Sequence, residues 1–202
     1  MSRMNLNEGG KFSAVYEASM TEAAYDDSQM DEVRLPHTVK EVPFHYFDEQ
    51  EYQMVCAYRK HFMASEDWEG KRIFITFQGV AHFARVFLNG QEIGSHNTGY
   101  TAFTLELTNY LSMGEENVLT VMVDTRESLN TPPFGFVVDY MTFGGIYREV
   151  YLEIHEAAYL KDVFLRSEVL DLDRVSAMDP YASHEAKLIC SVPIDGPSDG
   201  QY

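Results

Sequence analysis

The side chains that could do chemistry exclude more by their spacing than they admit. The seven histidines are His37, His45, His61, His82, His96, His155 and His184. No pair stands two, three or four positions apart, so the chain has no local His-x-His or His-Glu-x-x-His grouping to hold a metal ion. The two cysteines, Cys56 and Cys190, lie far apart and form neither a disulfide framework nor a metal knuckle. There is no Gly-x-Ser-x-Gly elbow for a serine nucleophile and no glycine-rich loop to cradle phosphate. Paired catalytic carboxylates are usually distant in sequence, so spacing neither finds nor excludes them. On this reading no metal and no cofactor is expected. One stretch stands apart: residues 125–144, TRESLNTPPFGFVVDYMTFG, with two prolines, several aromatics and little alternation. Connections of this length are usually functional or disordered, and the aromatics argue against disorder.

The elements that must position these residues are strands. RIFITFQ (72–78) sets Ile73, Ile75 and Phe77 against Arg72, Thr76 and Gln78. ARVFLNG (84–90), TAFTLEL (101–107), NVLTVMVD (117–124) and GIYREVYLEI (145–154) alternate in the same way. Alternation with period two predicts half-buried antiparallel strands. Asn89-Gly90, between two such runs, predicts a tight hairpin, because both residues tolerate positive φ. In the last run Arg148 falls on the otherwise apolar face, so it is expected to carry a structural salt bridge. Cys56 falls in an alternating run and reads as a small buried apolar residue. No sustained helical stripe occurs, and the best helical candidate is one turn at Thr108 to Met113. Roughly nine strands before residue 155, at this spacing, predict a sandwich.

The chain has 202 residues and a net charge of −17. Twice as many carboxylates as basic groups repel phosphate backbones and anionic lipid, so neither nucleic acid nor a membrane is an expected partner. The acidic residues are scattered (Asp26-Asp27, Asp31-Glu32, Asp48-Glu49, Glu115-Glu116) and read as solvated loops. An apolar share of 45 % is enough to fill a core. The polar first residues carry no signal core, and no apolar run approaches membrane-spanning length. A reducing cytoplasm is the simplest location.

Several strings in order carry a resemblance. They are LPHT (35–38), YRKHF (58–62), WEGKR (68–72), FQGV (77–80), ARVFLNGQEIGSHNTGYTAF (84–103), LTNYL (107–111), NVLTVMVD (117–124) and DYMTFGGIYREVYL (139–152). Over roughly residues 5–155 the chain resembles the N-terminal domain of family 2 glycoside hydrolases, the β-galactosidase, β-glucuronidase and β-mannosidase type of enzyme. The resemblance implies an all-β chain: a galactose-binding-like jelly-roll sandwich over 1–155, then the first strands of an immunoglobulin-like β-sandwich over 156–202. In the family a TIM barrel follows and carries the two catalytic glutamates, so this chain is expected to be a fragment with no catalytic residue of its own. The family often has Trp where this chain has Gly10, Met30 and Val39. Trp68 is the sole tryptophan, and other apolar residues are expected to fill the space.

The resemblance also implies a site. Asp139, six positions before Gly145, matches the aspartate that in β-galactosidases and β-glucuronidases reaches from this domain to the sugar. A carboxylate there can accept two hydroxyl hydrogen bonds and fix a sugar's orientation. Of Phe134, Phe136, Tyr140 and Phe143, Tyr140 is the most plausible ligand contact, and the others read first as loop or interface packing. His37 and His96 sit in motif strings, and each reads first as a structural residue. The implied partners are a β-glycoside, the downstream sandwich and barrel of the same chain, and a possible second copy. Two other readings stand beside this one. One is a stand-alone carbohydrate-binding module. The other is a ligand-free structural or oligomerisation module, in which residues 158–192 pair as a hairpin or exchange between chains.

Overall fold

The computed structural model describes residues 1–41, 45, 48–132, 134–135, 142–169 and 186–196. The chain divides into two compact units, Met1–His155 and Glu156–Tyr202. The first holds β1 (Ser2–Asn5), β2 (Gly10–Ser13), β3 (Asp31–Val33), β4 (Val55–Met63), β5 (Arg72–Phe77), β6 (Phe83–Leu88), β7 (Gln91–His96), β8 (Phe103–Glu106), β9 (Glu116–Asp124) and β10 (Val150–His155). They form a four-stranded sheet, β1-β10-β5-β8, and a six-stranded sheet, β3-β2-β4-β9-β6-β7, with antiparallel pairing throughout. The expected all-β sandwich is what the chain forms. Ile73, Ile75 and Phe77 of β5 and Leu152 of β10 are at most 1 % exposed. They share one core with Cys56, Tyr58, Val86, Leu88, Val121 and Val123 of the other sheet. Burial pushes the Cys56 thiol up to about 12, so it behaves as an inert core residue.

The hairpin turn falls where the sequence puts it, with Asn89 at φ 51° and Gly90 at φ 87°. Asn89 also reaches beyond the turn, donating to Asn117 Oδ1 at 2.8 Å and accepting from the Val118 amide at 2.9 Å. The helical candidate is smaller than expected: Thr108 to Tyr110 is a turn, closed by Tyr110 N–H donating to the Leu107 carbonyl. Short 3-10 turns occur instead at Ala18–Thr21, Glu49–Tyr52 and Glu66–Trp68. Met30 and Val39 are both buried, so apolar residues fill those two positions.

Simple alternation fails on the six-stranded sheet, where the second face is buried as well. Ala57, Arg59, Thr120, Met122 and Phe87 are all closed off from solvent. Residues 14–30 lie across that face, with Met20 and Met30 packed on Ala57 and with Tyr16 and Tyr25 beside them. Arg59 ties this strap down. Its side chain is fully buried, and its Nε donates to Asp27 Oδ2 at 2.9 Å. Its other nitrogens donate to the carbonyls of Met20, Glu22 and Tyr25 and to the Thr120 hydroxyl. A charge removed from water is tolerable only when its donors are satisfied in this way.

In the second unit β11 (Tyr159–Leu160) pairs with β14 (Ile194–Asp195), and β12 (Phe164–Val169) pairs antiparallel with β13 (Ala186–Ser191). Phe164, Leu165 and Leu188 are exposed. Among the described residues no helix is long and apolar enough to cross a membrane.

The strap gives a pH-dependent prediction. Burial alone would raise the Asp27 carboxyl, but hydrogen bonds from Arg59 and His61, with their charges, outweigh it and hold the group below its usual range. A carboxyl depressed in the folded state stabilises the fold above the unfolded value of about 4, and that stability is lost as pH falls through the folded value. Asp27→Asn should cost about 1–3 kcal/mol at pH 7, and its deficit should shrink toward zero on acidification. Urea unfolding followed by the fluorescence of Trp68, the sole tryptophan, measures both. A deficit independent of pH would rule the ion pair out as its origin.

Candidate functional site

Four separate stretches of chain meet in the first unit. The His37 amide donates to the Ile146 carbonyl at 2.8 Å and the Val39 amide to the Gly144 carbonyl at 3.0 Å. On the other side Gly145 and Ala81 exchange two backbone hydrogen bonds, each of 3.0 Å. Tyr147 Oη then reaches across to the Gly99 carbonyl at 2.6 Å. The strings LPHT, FQGV with the residues after it, NTGYTAF and TFGGIYR are thus brought to one place, although they are scattered over a hundred residues of sequence.

Two glycines make this possible. A Cβ on Gly144 would stand 2.3 Å from Thr125 Cγ2. Gly145 has φ +119°, and a Cβ there would stand 2.8 Å from both the His37 carbonyl oxygen and Tyr58 Oη. The same requirement explains why β10 begins at Val150 and not at residue 145. The backbone of 144–146 spends its hydrogen bonds on His37, Val39 and Ala81 before it can join the sheet. Arg148 therefore lies outside the strand. It is exposed, its guanidinium stacks 5.2 Å over the Tyr147 ring, and it donates to the Gln78 carbonyl at 3.4 Å. Among the described residues no carboxylate pairs with it, and its partners there are a carbonyl and a ring.

These segments enclose a cleft of about 490 Å³. Its walls include His37, Thr38, Ala81, Tyr100, Thr142, Phe143 and Tyr147. Tyr100 and Phe143 are about half exposed, and Phe143 sets its ring edge-on to Tyr52 at 5.6 Å. Thr142 donates to Glu127 Oε1 at 2.7 Å. His37 holds Nδ1 2.9 Å from Tyr58 Oη. Desolvation pulls the His37 imidazole below its usual range, against the pull of Glu41 and Asp31. His82 follows Ala81 and is 1 % exposed, and neither ring nitrogen has a hydrogen-bond partner among the described residues. Desolvation lowers its pKa too, against Glu127 and Asp124. Half-exposed rings beside neutral imidazole and hydroxyl groups can bind a polar, ring-shaped ligand through stacking and directed hydrogen bonds.

The residues singled out by sequence divide three ways. Phe143, Tyr147 and His37 line the cleft. Phe134 and His96 do not. Phe134 is exposed on the 125–144 stretch, and His96 stacks on Phe103 at 4.4 Å with Nε2 held by the Thr101 hydroxyl. Asp139, Tyr140 and Phe136 lie outside the described residues. Sequence reasoning did not single out Tyr100, Thr142 or His82. Tyr100 and Thr142 carried a signal, their places in the GYTAF and DYMTFGGIYREVYL strings.

The family model described as "Glycosyl hydrolases family 2, sugar binding domain" matches residues 9–155. The chain is 46 % identical over 141 residues to a β-galactosidase of Thermoanaerobacter pseudethanolicus, covering 69 % of this chain and 19 % of that protein. It is 30 % identical over 169 residues to a β-glucuronidase of Formosa agariphila, covering 77 % and 17 %. Among solved structures a β-glycosidase from Bacteroides vulgatus superposes with TM-score 0.77 at 25 % identity, over 99 % of this chain and 25 % of that one. The chain thus spans about a fifth of the length of the curated relatives it matches.

The close approach at the glycine pair is directly testable. Gly144→Ala and Gly145→Ala should each cost about 3 kcal/mol or more, from overpacking and, at Gly145, from the positive φ. Urea midpoints from Trp68 fluorescence would report the loss, and a wild-type midpoint in either variant would show that the approach relaxes freely.

Proposed function

This chain belongs to the family 2 glycosyl hydrolases through their sugar-binding domain, and on that basis we propose that it is the non-catalytic N-terminal portion of a retaining, β-galactosidase-like glycosidase. In this reading residues 1–155 are a jelly-roll domain and 156–202 open an immunoglobulin-like sandwich. A TIM barrel further along the same polypeptide supplies the catalytic glutamates. The domain braces the barrel and lends the Asp139 carboxylate, with Tyr140 beside it, to the hydroxyls of a β-glycoside during carbohydrate degradation in the cytoplasm. The support is the convergence of four motif strings on a single cleft. Thr142 is in the cleft wall and follows Asp139 by three residues, a length of backbone that spans at most about 11 Å. The identity of 46 % to a β-galactosidase favours a galactoside.

The test is a domain graft. This chain replaces the matching segment of the Thermoanaerobacter pseudethanolicus β-galactosidase, and hydrolysis of o-nitrophenyl β-D-galactoside is followed. Asp139→Ala should lower kcat/KM about 100-fold, roughly 2–3 kcal/mol for a lost charge-assisted contact. An unchanged kcat/KM would sink the carboxylate's role. Calorimetric binding of galactosides by the ungrafted chain, tighter than about 1 mM, would favour the stand-alone module instead.

A further inference from the structure

The His37 ring packs against Phe12 at 4.9 Å and Tyr58 at 5.6 Å in the wall of the cleft. Its Nδ1 is 2.9 Å from Tyr58 Oη, and distance alone leaves the direction of that bond open. The surroundings of Tyr58 settle it. Its side chain is 95 % buried, being 5 % exposed. Its hydroxyl proton has no acceptor among the described residues other than His37 Nδ1. If Nδ1 carried a proton, two hydrogens would face each other, or a buried O–H would be left unpaired, the costlier arrangement. So the tyrosine donates and Nδ1 accepts. A neutral imidazole that accepts at Nδ1 carries its own proton on Nε2, and desolvation favours the neutral ring.

Nε2–H is then a donor of fixed identity. It has no partner among the described residues, and it is not one of the sealed, unpaired atoms of the fold. The cleft that His37 lines is also walled by Tyr100 and Phe143, both about half exposed, and by Thr38 and Thr142. A donor beside aromatic faces matches the alternating oxygen and C–H surface of a pyranose.

We propose that His37 is a ligand-binding residue of this cleft, donating Nε2–H to a hydroxyl oxygen of a bound pyranoside, with Tyr58 as the positioning residue that sets its tautomer. The inference rests on the cleft facing the sugar, and it concerns a residue other than Asp139. The 202-residue chain labelled with 15N-histidine tests it by two-bond proton–nitrogen spectra. At pH 7 His37 should be neutral with its proton on Nε2, and Tyr58→Phe should release that preference. Titration with methyl β-D-galactopyranoside or methyl β-D-glucopyranosiduronate should shift the His37 signals saturably. His37→Phe should weaken binding at the Thr142 and Tyr147 amides about tenfold or more. His37→Gln, which keeps an N–H donor, should recover most of that loss. A proton on Nδ1, a charged ring at pH 7, or no saturable change at His37 with either glycoside overturns the proposal. The wild-type spectra decide even if a variant misfolds. An unaltered kcat/KM for Asp139→Ala in the graft, with the His37 shifts intact, would remove the carboxylate's role and leave this one standing.

Discussion

The functional end of the molecule depends on a backbone that comes too close to its neighbours to carry side chains. Gly144 and Gly145 pass between the 35–39 segment on one side and Ala81 on the other, while Thr125 and Tyr58 close in behind. Hydrogen bonds on both edges hold the passage, and steric contact excludes any Cβ from it. Everything that gives the cleft its shape follows from there. His37 is fixed by its amide bond to Ile146, Ala81 by its two bonds to Gly145, and Tyr147 is aimed at Gly99. The late start of β10 belongs to the same arrangement, because a backbone already bonded on both edges has no groups left for a sheet.

A second constraint holds the opposite side of the six-stranded sheet. Arg59 sits where a water-facing residue would sit on an open sheet, yet it is sealed under residues 14–30. Three of its five hydrogen bonds satisfy carbonyls that the strap, lacking regular structure, could not satisfy within itself, and the others go to the Asp27 carboxylate and the Thr120 hydroxyl. Asn117 does the same for the turn that precedes β9, joining Ser112, Glu115 and Asn89 through one fully buried amide. In both places a single polar side chain stands in for a missing strand ladder, which explains why irregular segments can cover a sheet without leaving unpaired backbone.

The period of two made most strands legible, since it reports a half-buried ladder wherever only one face is covered. It misled where that condition fails. Phe87, Thr120 and Met122 read as outward residues and are buried, because the strap that covers them has no periodic signal of its own. Arg59, within a charged run, carries no mark of burial, since its partners come from residues 20–27 and 120. Alternation also continued through residues 145–149, where close packing overrides it and puts Arg148 on the surface. The cleft was legible only as a set of strings in a familiar order. Its walls are drawn from four separate stretches, and no local pattern encodes that they meet. His37 illustrates the limit: a lone histidine beside a proline reads as structural until the Tyr58 hydroxyl and the open Nε2 are seen together.

The contact between Thr125 and Gly144 has one more consequence. The excursion that carries the aromatic and acidic residues leaves and rejoins the sandwich at a single point. A loop whose ends touch can lengthen at small entropic expense, about 0.6 kcal/mol for each doubling. Insertions and deletions within the excursion therefore cost little in chain entropy, as long as the two-residue clasp at its base is left as it is.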